Sequence, residues 1–239
     1  MRATKLLLAG LLALPQVASA QVTGPHYLDF KSGSGVSYHG YQVGTYQAKL
    51  DGGAMMNIWC TDFFNHAGDA YVYKTGLGGT PDLSKTRFGG LSGQPDRYRQ
   101  AAYLTSLFQA GNHGEWGYIQ YAIWQLMSGS DYSSLSGAAK GKVTSYLALA
   151  GSEFGKYDYS GMYVLTDVKV SQGTGVRHDP YKYGCRNITG KKTCGVQEFL
   201  AGSIREIPTD VDAVPEPATM GLLALGLVGM AAAGRRRRR

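Results

Sequence analysis

Apolar positions recur at two different periods along the middle of the chain, and they divide it into strands, then helices, then strands. Tyr41, Val43 and Tyr46 fall in short runs separated by Gly40 and Gly44, so residues 36–50 read as a hairpin. Residues 54–64 are apolar and aromatic, the pattern of a buried strand. Met162, Val164, Thr166, Val168 and Val170 alternate onto one face over 162–170, and 196–207 form a last strand around Phe199, Ile204 and Ile207. Between these runs the period changes. Ala101, Tyr103, Leu104, Leu107 and Phe108 have near-helical spacing in a helix from Arg97 to Ala110, opened by Pro95-Asp96 and ended by Gly111. A second helix spans Glu115 to Met127, with Trp116, Ile119, Ile123, Leu126 and Met127 as its buried stripe and Ser128-Gly129 as its stop. A third covers Ala138 to Ala150. Gly-rich stretches at 76–79 and 89–93 are loops.

The layout predicts an α+β protein: a β-rich barrel or sandwich-like subdomain interrupted by a small helical subdomain over about 95–150. Composition narrows the picture. The chain has 239 residues, 34 of them Gly and 17 Tyr, and only 17% are charged. Low charge excludes a coiled coil or a charged disordered chain, and Gly without a three-residue period excludes collagen.

Both ends are addresses rather than fold. Residues 1–20 have the three parts of a secretory signal peptide: Arg2 and Lys5, an apolar run from Leu6 to Leu14, and the small-residue site Ala18-Ser19-Ala20 before Gln21. At the other end, Val214-Pro215-Glu216-Pro217 precedes an apolar run from Ala218 to Ala233, only marginally long enough to reach across a bilayer as a helix. Arg235, Arg236, Arg237, Arg238 and Arg239 follow and would hold the far end in the cytoplasm. Pro215 and Pro217 keep the backbone extended around Glu216, a form suited to a processing enzyme. This order resembles the PEP-CTERM sorting signal of Gram-negative bacteria. The resemblance implies an exosortase-type peptidase that recognises Pro215-Glu216-Pro217 and removes the tail, an inner-membrane intermediate, and then a cell-surface or matrix location. Proteins of that class are often linked to exopolysaccharide and biofilm. The ends also explain the charge: seven of the 24 basic residues lie in them, and the other 17 balance 17 acidic residues. The net charge of +7 is therefore no nucleic-acid footprint. The domains expected are a signal peptide at 1–20, an extracytoplasmic domain at 21–212 and the sorting signal at 213–239.

Three cysteines remain to be placed. Cys185 and Cys194 are close in sequence, and an exported protein meets an oxidising compartment, so a local disulfide between them is expected. That leaves Cys60 as the odd thiol, either reactive or simply a small buried hydrophobe. Gln120 lies four residues from both Trp116 and Trp124, at the edge of the second helix's apolar face. A buried amide without partners costs about 1–3 kcal/mol, so it is either hydrogen-bonded or has reacted. A thiol that adds to a glutamine carboxamide and expels ammonia leaves a thioester, provided water is kept away.

Trp59-Cys60-Thr61-Asp62 followed by Ile119-Gln120-Tyr121-Ala122-Ile123-Trp124 resembles the thioester domain of bacterial surface adhesins. In that family a Cys after an aromatic residue on a β-subdomain joins the Gln of a Thr-Gln-x-Ala-(Val/Ile)-Trp motif on a helical subdomain. Ile119 stands here in place of the Thr. The resemblance implies that Cys60 supplies the sulfur and Gln120 the acyl group. Trp59, Asp62, Tyr121, Ala122, Ile123 and Trp124 would shield or position the bond. Such a protein captures a surface or matrix partner through an amine or hydroxyl nucleophile, acts once, and is not an enzyme in the turnover sense.

Two other readings stand beside this one. The aromatic residues would also suit a non-covalent component of an exopolysaccharide matrix. A cysteine hydrolase would need Cys60 with His66 or His113 as base and Asp62 or Asn112 as orienter. The five histidines show no metal-ligand spacing, no phosphate loop or dinucleotide motif appears, and no cofactor is expected.

Overall fold

The computed structural model describes residues 21–63, 65–109, 111–129, 134–169, 185–188, 191–194 and 196–207. The expected signal peptide and the apolar C-terminal run lie outside these residues. Among the described residues no helix is long and apolar enough to cross a membrane.

Twelve strands lie among the described residues: β1 (Val22–Ser32), β2 (Ser37–Tyr38), β3 (Tyr41–Gln42), β4 (Thr45–Leu50), β5 (Met55–Cys60), β6 (Ala70–Gly76), β7 (Tyr157–Asp158), β8 (Met162–Asp167), β9 (Cys185–Ile188), β10 (Lys191–Cys194), β11 (Phe199–Gly202) and β12 (Arg205–Glu206). Six of them close a barrel in the order β1-β4-β5-β11-β8-β6, and every neighbouring pair is antiparallel. Strand alternation fills it: Leu28, Tyr46, Ala48, Ile58, Cys60, Val72, Val164, Phe199 and Ala201 are all buried. Closure removes the unpaired edges that an open sheet would expose.

The helices are α1 (Asp96–Thr105), α2 (His113–Ser128) and α3 (Gly137–Glu153). All three fall between β6 and β8, which are neighbours in the barrel. The helical subdomain is therefore an insertion into a single strand-to-strand connection. Its caps follow from sequence. Ser136 accepts a hydrogen bond from the Ala139 N–H at the start of α3. Gly129 ends α2 in the left-handed conformation (φ 58°), where its N–H reaches the Trp124 carbonyl.

Several boundaries differ from the sequence pattern. The first helix stops at Thr105 rather than Ala110. The Thr105 and Ser106 hydroxyls donate to the Ala102 and Tyr103 carbonyls, and Leu107 N–H turns to the Leu104 carbonyl, so the last turn tightens and ends. The expected hairpin over 36–50 is two elements. β2 and β3 form a small ribbon whose two-residue turn, His39-Gly40, has positive φ at both positions, and β4 is a separate barrel strand. The strand at 54–64 leaves the ladder after Cys60. The last strand is interrupted after Gly202, whose φ of 101° breaks the extended run before β12. β1 and β6 go unread in the sequence pattern.

β9 and β10 pair so that Cys185 stands opposite Cys194. Val170, the end of the predicted 162–170 run, lies outside the described residues.

Candidate functional site

Cys60 is the last residue of β5 and faces the barrel interior, fully buried. Helix α2 crosses it with Trp116, Gln120 and Trp124 on one side, as four-residue spacing requires. The Gln120 carboxamide rests on the cysteine: its Nε2 donates to the Cys60 carbonyl at 2.8 Å. Its Oε1 accepts the Gly44 N–H at 3.3 Å. One backbone donor and one backbone acceptor fix which end of the amide is which. Gln120 is 0% exposed.

The sulfur is held from two sides. The thiol donates to the Asp62 carbonyl at 3.0 Å, and the Trp124 indole N–H donates to Sγ at 3.4 Å. Burial pushes the Cys60 thiol well above its ordinary pKa, and the Asp62 charge adds to the rise. The Trp124 and Asp62 hydrogen bonds and the Arg87 charge pull the other way and do not win. A neutral, enclosed thiol resists oxidation in an oxidising compartment.

Aromatic rings cover the pair. Phe63 lies 5.0 Å from Trp124 and 4.8 Å from Tyr41 between ring centroids, and Tyr121 lies 5.2 Å from Trp124. Tyr38 abuts Tyr121 at 5.9 Å. These tilted and edge-on contacts are the favoured geometry of aromatic pairs.

Below this layer is a buried polar network. Asp62 forms an ion pair with Arg87 at 3.0 Å and accepts from Asn65. Arg87 donates to the Val196 carbonyl through its guanidinium and to Glu198 through its backbone N–H. Tyr98 and Thr166 also donate to the Glu198 carboxylate. Thr61 donates its hydroxyl and its N–H to the Glu198 carbonyl. The segment after Cys60 is thereby tied to β11, β8 and α1. Glu198 is fully buried, and desolvation raises its pKa against the pull of those hydrogen bonds.

Among the residues singled out in the sequence, Cys60, Gln120, Trp124, Asp62 and Tyr121 come together. Trp59 does not join them. Strand alternation turns it to the opposite face of β5, where its indole donates to Thr45, its cross-strand partner. Ala122 and Ile123 are buried in the hydrophobic core. Ile119, also buried, belongs to that core. His113 packs against Trp116, 4.3 Å between ring centroids, and His66 is exposed.

Gly44 was not singled out for this role. Its φ is 95°, and a Cβ there would stand 2.2 Å from the Trp116 ring, so both the conformation and the space demand glycine. Tyr38, Tyr41, Asn65, Arg87 and Glu198 were missed as well. Beside the aromatic cover opens a cleft of about 400 Å³ lined by Phe30, Tyr41, Tyr46, Phe63 and Trp124 together with Gln42, Asn65, His66 and Gln197.

Fold and site thus define an antiparallel barrel whose helical insertion closes over a buried cysteine–glutamine pair. Residues 213–239 match the PEP-CTERM protein-sorting motif. The motif marks an exported protein that is processed by an exosortase and passes by way of the membrane to the cell surface. No curated protein matches the chain. Among solved structures, the N-terminal domain of the Streptococcus pyogenes pilus tip adhesin Cpa is similar at a TM-score of 0.34 and 11% identity. The match covers 77% of this chain and 94% of that one.

Proposed function

We propose that Cys60 and Gln120 form an internal thioester through which the exported protein captures a nucleophile on a surface or matrix partner. One observation carries the reading: the Gln120 carboxamide is buried against Cys60, hydrogen-bonded to its carbonyl, with a backbone N–H at its oxygen. The Cys60 sulfur adds to Cδ of Gln120 and the thiol proton passes to the amide nitrogen. The C–N bond then breaks and ammonia leaves. In the tetrahedral intermediate the Gly44 N–H faces the oxygen that gains charge, as an oxyanion-hole donor does. Capture reverses the roles. The nucleophile attacks the same carbon, the C–S bond breaks, and the Trp124 N–H stabilises the departing sulfur. The aromatic cover keeps water from hydrolysing the bond first.

The protein on this reading acts once per molecule. Its leader at 1–20 is removed on export, and a Cys185–Cys194 disulfide closes the β9–β10 ribbon, supported by the register that sets the two residues opposite one another. Thiol titration tests the mechanism. The native, unreduced protein should show no titratable Cys60, and treatment with methylamine should release one thiol per molecule. A full equivalent of free thiol on denaturation without methylamine would contradict it.

A further inference from the structure

The cleft beside the aromatic cover has a distinctive chemistry. Tyr41, Phe63 and Trp124 form part of its wall, and the polar groups there include the side chains of Asn65, His66 and Gln197. Among the described residues that line it, none is Asp, Glu, Lys or Arg. A second observation points to a ligand. Gln197 is 9% exposed, and its Oε1, which is buried, accepts no hydrogen bond from the described residues. Its backbone N–H is satisfied by the His66 carbonyl at 3.0 Å, so the segment is fixed while the amide oxygen is left over. A buried acceptor left unmatched costs about 1–3 kcal/mol, which a ligand donor would recover.

From this geometry we infer that the cleft receives an uncharged pyranose ring of a glycan and that a sugar hydroxyl is the nucleophile captured. The inference rests on the thioester reading for its covalent step. Sugar C–H groups pack on aromatic faces, while hydroxyls both donate and accept. They can therefore donate to Gln197 Oε1 while accepting from the Asn65 N–H that is not given to Asp62. An ammonium group fits less well: it would be stripped of water with no carboxylate on the lining to receive it. The volume lies within the ~300–1,000 Å³ range of small-molecule clefts. In the capture step the hydroxyl oxygen attacks Cδ of Gln120 and the C–S bond breaks. An ester forms, and the hydroxyl proton ends on the Cys60 sulfur, where burial favours the thiol.

Saturation-transfer NMR on the mature protein, with cellotetraose, maltotetraose and mannotetraose as probes, tests the cleft. Protein pretreated with methylamine isolates non-covalent binding from the thioester. At least one probe should bind through ring C–H protons. Tyr41→Ala, at an exposed ring, and Gln197→Leu should each weaken it about tenfold. Intact-mass analysis of untreated protein with that probe should show one added saccharide, released by hydroxylamine. No binding by any probe to folded protein, or binding indifferent to both substitutions, overturns the assignment. Binding without a covalent adduct, in protein that does add methylamine, overturns hydroxyl capture. Protein that adds neither methylamine nor saccharide but still binds the probe would refute the thioester while leaving the sugar cleft standing.

Discussion

Gly44 shows how closely the proposed chemistry depends on single positions. Its N–H meets Gln120 Oε1 only because positive φ turns it inward and the missing Cβ lets Trp116 approach. Gly44→Ala should therefore cost about 1–3 kcal/mol of stability and reduce the fraction of molecules carrying the thioester, measured by denaturant melts and intact mass on the same samples. Trp124→Phe keeps a ring in the aromatic cover but removes the donor to sulfur. Methylamine capture should slow about tenfold, the kinetic equivalent of one lost hydrogen bond, with a fold unchanged by circular dichroism. The two residues proposed to react stood out in the sequence because each broke a local rule: Cys60 was the odd cysteine, and Gln120 was a polar residue on an apolar stripe. Gly44, Arg87 and Glu198 gave no such signal. Their roles come from contacts with residues far away in the chain, such as Gly44 with Gln120 and Arg87 with Asp62.

The elements were legible where their period was clean. Helix α2 and strand β8 begin close to where the pattern puts them, and a β-rich subdomain with a helical insertion follows from the order of elements. β1 was not legible because Gly24-Pro25 and two register shifts blur its alternation. Barrel closure was not legible at all, since β1–β6 and β5–β11 pairing joins distant segments. Glu198 sits where those distant elements meet. It precedes β11 and takes hydrogen bonds from Tyr98 of α1 and Thr166 of β8. Its carboxyl is raised above the ordinary value of 4.5 by burial. Its contribution to stability is thus complete below about that pH and declines as pH rises through the raised folded value, where the unfolded chain has already released its proton. Glu198→Gln should remove this decline. Urea melts of both proteins from pH 4 to 8 should show the variant gaining relative to wild type as pH rises; a constant difference would refute the assignment. The low-shifted, exposed carboxyls of Asp51, Asp82 and Asp158 are common to both proteins and cancel in the difference.

At the scale of the whole chain, we propose an exported domain followed by a removable address. The PEP-CTERM motif at 213–239 supplies the address, and together with the signal-like residues 1–20 it predicts a near-neutral mature protein running from Gln21 to about 214–217. Terminal peptide mapping of surface material should recover those ends; peptides containing Arg235–Arg239 on such material would contradict tail removal. Export matters to the chemistry. On the proposed reading a single-use acyl group must survive the journey, and burial of Cys60 and Gln120 under Phe63, Tyr121 and Trp124 would provide the means. The claim that the pair is joined is tested most directly by the intact mass of the mature protein, untreated and beside its Cys60→Ala and Gln120→Ala variants. After allowance for the hydrogens lost to a Cys185–Cys194 disulfide, the wild type should be lighter than its sequence by one ammonia, and neither variant should show the loss. A wild-type mass that retains the ammonia, in protein that is folded and unexposed to amines, would contradict the account.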